Sequence, residues 1–167
     1  MLLSKLKNIY AVADYKEWLT FSKGVDPLKI DPLFLGRLAE LCRRKGKKAN
    51  ILSGRRDKAK QIYFYKKSGG KLVNGVWSGG NGTAAKPGTS FHEFGLAIDT
   101  DTQWLKELDK DASTDMQKSL VACGLFKPLT VGNKTSVHED WHIQPIETKG
   151  LGISQRSSLE PKEVEHG

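Results

Sequence analysis

Two short stretches hold the side chains able to bind a metal and move a proton. In the first, Ser90-Phe91-His92-Glu93-Phe94-Gly95-Leu96-Ala97-Ile98-Asp99, an imidazole is followed seven residues later by a carboxylate at the end of an apolar run. A strand there delivers both groups to one cleft; Asp101, two residues on, faces the same side of such a strand and competes with Asp99. In the second, Glu139-Asp140-Trp141-His142, a glutamate precedes a histidine by three residues. An extended chain points those two to opposite faces, so the segment must turn near Asp140 if both serve one site. Together the stretches offer two imidazoles and one carboxylate as ligands and a second carboxylate left free. That matches a catalytic zinc site with three protein ligands and an open fourth position for water. Nitrogen and oxygen donors without thiolate suit zinc and leave manganese and iron open. Of the other histidines, His138 reads as a surface or supporting residue and His166 belongs to the tail.

These stretches resemble the VanY-type D-alanyl-D-alanine carboxypeptidases and the related L-alanyl-D-glutamate endopeptidases of phage endolysins. That family's pattern is Ser-x-His-x-x-Gly-x-Ala-x-Asp followed downstream by Glu-x-Trp-His. It is met by Ser90, His92, Gly95, Ala97 and Asp99, and then by Glu139, Trp141 and His142. A further Ser-Gly-aromatic-Arg segment with a glutamine five residues after the arginine aligns with Ser53-Gly54-Arg55-Arg56 and Gln61. There Arg55 replaces the aromatic and Asp57 the usual serine, which leaves Arg55 as an alternative to Arg56. The resemblance implies a hedgehog/D-Ala-D-Ala-peptidase-like α+β fold, with a small central antiparallel sheet flanked by helices.

Position by position it implies His92, Asp99 and His142 as ligands of Zn2+, Glu139 as general base, and Arg56, Gln61 and Ser90 as substrate contacts. The motif position selects Asp99 over Asp101 and Glu139 over Asp140. A carboxylate beside a metal-activated water can take its proton near neutral pH and return it to the leaving amine. A guanidinium at Arg56 suits either the developing oxyanion or a substrate carboxylate. Trp141 reads equally as core aromatic or as a wall of the substrate pocket, and Gly95 and Ala97 as small residues that let backbone pack closely near the metal. Ser90 lies in no Gly-x-Ser-x-Gly pattern, which argues against a serine hydrolase.

The elements that must position these groups are mixed. Asp31 as N-cap, Pro32 at the first helical position and the spacing of Leu35, Leu38, Leu41 and Cys42 predict an amphipathic helix ending in the basic run Arg43 to Lys48. Ala49 to Ser53 predicts a strand, Arg56 to Lys67 a helix ending at Gly69-Gly70, and Leu96 to Asp101 a strand. Thr114 to Cys123 reads as a helix closed by Gly124, and Trp141 to Ile146 as a final short strand. Residues 1 to 24 carry a loosely helical pattern, and Ser68 to Thr89 reads as a long Gly/Ser/Asn/Thr-rich loop over the site. One catalytic domain over 1–148 and a polar, fraying tail over 149–167 are expected.

The 167 residues suffice for one domain, with 38% apolar and 28% charged residues. Cys42 and Cys123 sit in apolar helical patterns and read as buried thiols. Lys5 and Lys7 interrupt the start before an apolar run of signal-peptide length can form, and no run is long enough to span a membrane. The expectation is a monomer made in the cytoplasm that reaches peptidoglycan after holin-type release, as a phage or prophage lysin cutting the L-alanyl-D-glutamate bond. D,D-carboxypeptidase activity is the alternative, and an inactive zinc-stabilised wall-binding module the alternative of another class; Glu139 speaks against the latter, since a structural zinc shell is closed. A net charge of +8 favours polyanions such as anionic wall polymers. Arginines interleaved with aromatics, as a specific nucleic-acid surface needs, are not found.

Overall fold

A computed structural model describes residues 1–165; His166 lies outside them. In chain order the elements are β1 (Leu2–Leu3), α1 (Tyr15–Trp18), β2 (Leu19–Phe21), α2 (Pro32–Lys45), β3 (Ala49–Ser53), α3 (Lys58–Lys67), β4 (Lys71–Val73), β5 (Val76–Ser78), β6 (Ile98–Thr100), α4 (Gln103–Glu107), α5 (Lys118–Ala122), β7 (Leu125–Phe126), β8 (His142–Pro145) and β9 (Lys162–Glu163), with short 3₁₀ turns between them.

The local signals around α2 act as expected. The Asp31 carboxylate accepts from the backbone N–H groups of Leu33 and Phe34, Pro32 fills the first turn, and Gly46 closes the helix at φ 65°. Its apolar face (Phe34, Leu35, Leu38, Leu41, Cys42) shares one core with Leu19, Ile51, Ile98 and Ile143 of the sheet. Each such aliphatic side chain contributes about 1.5–3 kcal/mol by leaving water. Cys42 and Cys123 are free and buried, and burial pushes the Cys42 thiol up to about 12.

The sheet runs in the order β2-β3-β6-β8-β7. It is antiparallel except at β2–β3, which pair in parallel because the chain crosses between them through α2. The fold is therefore α+β with a mostly antiparallel central sheet flanked by helices. No helix among the described residues is long and apolar enough to cross a membrane.

Four segments differ from expectation. In residues 1–24 only Tyr15–Trp18 is helical; the apolar residues that suggested one stripe do not share a face, since Leu6 is buried while Ile9 is 72% exposed. The stretch after Ser68 is not one loop: β4 and β5 form a hairpin around Asn74-Gly75, both at positive φ, with Trp77 edge-on to Tyr65 at 5.9 Å. The Thr114–Cys123 segment splits into a 3₁₀ turn and α5. The Gln117 side chain there bonds the Lys127 backbone in both directions. The C-terminal segment expected to fray instead forms a 3₁₀ helix at Ile153–Leu159, packs Leu151 and Leu159 on the core, and pairs β9 with β1.

Gly95 joins the site to this frame. It sits at φ 70°, its carbonyl accepts from Asp31 N at 3.0 Å, and a Cβ there would come within 2.6 Å of the Lys29 carbonyl oxygen. Gly95→Ala is expected to cost about 2 kcal/mol or more, from the left-handed backbone and the collision together. A urea-denaturation midpoint close to wild type would refute this.

Candidate active site

β6 lies between β3 and β8, and its register decides the site. Asp99 is opposite His142 on one side and Ser53 on the other, so three strands set these side chains next to one another. His92 arrives from a separate 3₁₀ turn, Phe91–Phe94, held by a capping box. The Ser90 hydroxyl accepts from His92 N, and the Glu93 carboxylate accepts from the N–H groups of Ser90 and Gly88. The ligand atoms of His92, Asp99 and His142 all lie within 4.8 Å of one another, and all three residues are buried.

Hydrogen bonds to the far side of each ring set the tautomers. His92 Nδ1 is 2.9 Å from the Gly54 carbonyl, which can only accept. Nδ1 therefore carries the proton, and the Nε2 lone pair faces Asp99 Oδ2 at 3.4 Å. His142 Nε2 is 2.7 Å from Gln144 Oε1. The Gln144 amide nitrogen donates to Thr148 Oγ1 at 2.9 Å and that hydroxyl donates to the Pro145 carbonyl at 2.7 Å, so the amide cannot turn round without losing a bond. Nε2 therefore carries the proton in His142, and Nδ1 is left facing Asp99 Oδ1 at 3.2 Å. Two lone pairs and a carboxylate converge, each oriented by an outer partner, as metal ligands require.

The charges agree with this geometry. Burial pushes Asp99 up, but His142 and His92, which donate to the carboxylate only when their rings are protonated, outweigh it and hold the carboxyl well below its usual range. Burial lowers the His92 pKa. At His142 burial acts in the same direction, yet the hydrogen bond and charge of Asp99 prevail and raise it. Glu139, with Oε2 3.7 Å from His142 Nδ1, stands beside the triad, and burial raises its pKa. The turn expected near Asp140 is present, with His142 N donating to the Glu139 carbonyl at 3.1 Å. Two imidazole nitrogens, one carboxylate and no thiolate, buried at the wall of a cleft of about 960 Å³, fit a tetrahedral divalent cation with one position open.

The remaining expected residues divide. Arg56 lines the cleft, with Nη2 3.3 Å from Asp99 Oδ2 and its guanidinium over the Phe64 ring. Gln61 is fully buried behind it; its Oε1 lies 3.5 Å from Arg56 Nη1, and its amide nitrogen donates to the Ala85 carbonyl at 2.8 Å. Ser90 and Trp141 line the cleft, Trp141 on the exposed rim. Arg55 is exposed and outside the lining, and Asp101 turns away to accept from Asn50. His138 is exposed.

Sequence reasoning placed Ser53 in the matched segment without a role, although its hydroxyl donates to Asp99 Oδ2 at 2.9 Å, and missed Gln144. Gln144 was accessible in principle, since on a strand the residue two beyond His142 shares its face. Gln144→Leu is expected to weaken metal binding about 10- to 100-fold by freeing the His142 tautomer. Competition with a chromogenic chelator measures this, and an unchanged affinity would show that the relay through Thr148 does not act on the metal site.

The family model VanY, D-alanyl-D-alanine carboxypeptidase, matches residues 33–146. No curated protein sequence matches the chain significantly. The fold is similar to a mutant of the vancomycin-resistance D,D-pentapeptidase VanY from a VanB-type resistance cassette in complex with Zn(II), at 18% identity and TM-score 0.50 over 96% of this chain and 92% of that one. It is also similar to the LdcB LD-carboxypeptidase, at 16% identity and TM-score 0.52 over 92% and 78%. VanYB in complex with D-alanine-D-alanine matches at 18% identity and TM-score 0.50 over 96% and 90%. With the family match spanning most of the chain and including every residue of the triad and Glu139, the protein belongs to the VanY family of peptidoglycan peptidases.

Proposed function

We propose that this chain is a zinc-dependent carboxypeptidase that removes a terminal D-alanine from the peptidoglycan stem peptide. The observation that carries the reading is the convergence of His92, Asp99 and His142 within 4.8 Å, with the Glu139 carboxylate beside them and outside the set. Zinc fits the donors and is present in a VanY structure of similar fold. His92 would hold it through Nε2, His142 through Nδ1 and Asp99 through its carboxylate. When bound, zinc supplies Lewis acidity that brings the pKa of a water from 15.7 to about 7.

Glu139 would take a proton from the water that attacks the peptide carbonyl, and return it to the amine nitrogen as the C–N bond breaks. Its partial burial suits the task, because a desolvated carboxylate is a stronger base than one in water. Arg56, oriented by Asp99 and Gln61, presents guanidinium N–H groups to negative charge in the cleft. The Ser90 hydroxyl accepts from His92 N and retains its own proton for a substrate oxygen.

One observation favours a second reading, cleavage at the L-alanyl-D-glutamate bond. A cleft of about 960 Å³, near the upper end of ligand pockets, is larger than a terminal dipeptide fills. Digestion of purified peptidoglycan by the zinc-loaded protein, with mass analysis of fragments and new amino groups, separates the two. Release of D-alanine alone supports the carboxypeptidase; new D-glutamate N-termini support the endopeptidase. Bound metal with no cleavage would sink both. Wall affinity drawn from the net charge of +8 would weaken as salt is raised.

A further inference from the structure

Arg156 lines the catalytic cleft from a part of the chain beyond the 33–146 stretch that matches the family. It belongs to the 3₁₀ helix Ile153–Leu159, which packs on the turn carrying His92. Its guanidinium lies 4.9 Å from the centre of the Phe91 ring and donates to the Thr89 carbonyl, so it is held by the two residues that flank Ser90.

This guanidinium lacks a counter-charge. No carboxylate lies within ion-pair distance of it among the described residues. Its Nε–H is buried without an acceptor, and burial pushes the guanidinium pKa down. The other guanidinium of the cleft, Arg56, faces Asp99 at 3.3 Å and is partly neutralised. Removing a charge from water without a partner is unfavourable, and the penalty is offset when a ligand brings the opposite charge. A planar fork with free N–H groups matches a carboxylate in particular.

We propose that Arg156 is a substrate-binding residue that pairs with a carboxylate of the stem peptide and so fixes which part of the peptide lies against the Phe91 side of the cleft. The inference rests on the peptidase reading of this site. A stem peptide offers the same chemistry in two places, at its C-terminus and at the α-carboxylate of its γ-linked D-glutamate, and the experiment separates them.

The experiment is calorimetric binding to zinc-loaded Glu139→Gln protein, in which hydrolysis is suppressed, of a synthetic stem pentapeptide, its C-terminal amide, and the form with D-isoglutamine in place of D-glutamate. With Arg156 in place, one of the two amidations is expected to weaken binding about 10- to 100-fold, the effect of losing a hydrogen-bonded charge, and which one identifies the carboxylate. In Arg156→Gln that discrimination is expected to vanish, and in Arg156→Lys to persist in part, since charge remains without the fork. The proposal is overturned if neither amidation matters with Arg156 present, or if the discrimination survives Arg156→Gln. It is also overturned if Arg156→Gln loses zinc affinity in step with peptide affinity, which would make the residue a support for the His92 turn. These outcomes read binding alone; a wild-type protein that leaves peptidoglycan uncut would instead count against the peptidase reading.

Discussion

Glu139→Gln is expected to lower turnover on peptidoglycan about 10²- to 10⁴-fold, the usual range for a general base, while zinc affinity stays close to wild type. The expectation follows from where the carboxylate stands. Its Oε2 is 3.7 Å from His142 Nδ1, near enough to share a water with the metal position, yet it is not one of the three converging ligands. An amide keeps the size of the side chain and cannot accept a proton and pass it on. The backbone bonds that hold the residue, from Glu139 N to the Leu129 carbonyl at 2.8 Å and from His142 N to the Glu139 carbonyl at 3.1 Å, do not depend on the side chain. Metal content and turnover measured on the same preparation check the two halves together. Loss of metal with activity would make Glu139 a ligand, and full activity would move the proton transfer elsewhere.

Arg37→Met is expected to have the largest effect on stability, roughly 3–5 kcal/mol, which for a chain of this length lowers Tm by about 6–20 °C. Arg37 is only 1% exposed. Its guanidinium meets both Glu147 oxygens at 2.6 and 2.7 Å, the Gly124 carbonyl at 3.0 Å and the Lys7 carbonyl at 2.8 Å, and it lies over the Tyr10 ring. It thereby ties the N-terminal segment, α2 and the turn before β7 to the turn that follows β8, the strand of His142. Methionine fills much of the volume but leaves the Glu147 carboxylate without its counter-charge and the Lys7 carbonyl without its donor, while the Gly124 carbonyl keeps only its bond from Ile146 N.

The double variant Arg37→Met/Glu147→Leu is expected to recover much of the loss, because the orphaned charge is gone. The cost of the single variant should also shrink in acid. Burial pushes the Glu147 carboxyl up, but the hydrogen bonds from Arg37 and Lys7 N prevail and hold it below its ordinary value of 4.5. The stability this supplies is complete above that value and is lost as pH falls through the depressed folded pKa. Thermal scans of both proteins from neutral pH to pH 3 read the effect; a gap that widens in acid contradicts the assignment.

The chemistry of this protein was legible because it is carried by residue types at short spacings. A histidine and an aspartate seven residues apart, and a glutamate three before a histidine, mark candidate ligands and a candidate base before any contact is known. The capped helix α2 and the turn at Asp140 are equally local, each formed by groups a few residues apart. The β4–β5 hairpin was instead read as loop: Asn74-Gly75 between apolar pairs is a strong turn signal, but the Gly/Ser-rich composition around it hid the pattern.

Only the tertiary structure decided the rest. Placing β6 between β3 and β8, so that Asp99 meets both Ser53 and His142, depends on how three distant strands together bury Ile51, Ile98 and Ile143. That Arg56 and not Arg55 lines the cleft depended on which side chain the chain turned inward after β3, toward Asp99. The N-terminal strand and the docked C-terminal helix, with Arg156 in the cleft, depend on contacts across nearly the whole chain. Caps, turns and motif spacings are set by neighbouring residues and can be read one segment at a time. Register and docking are set by the sum of many weak burial terms across the fold, and no single segment contains that sum.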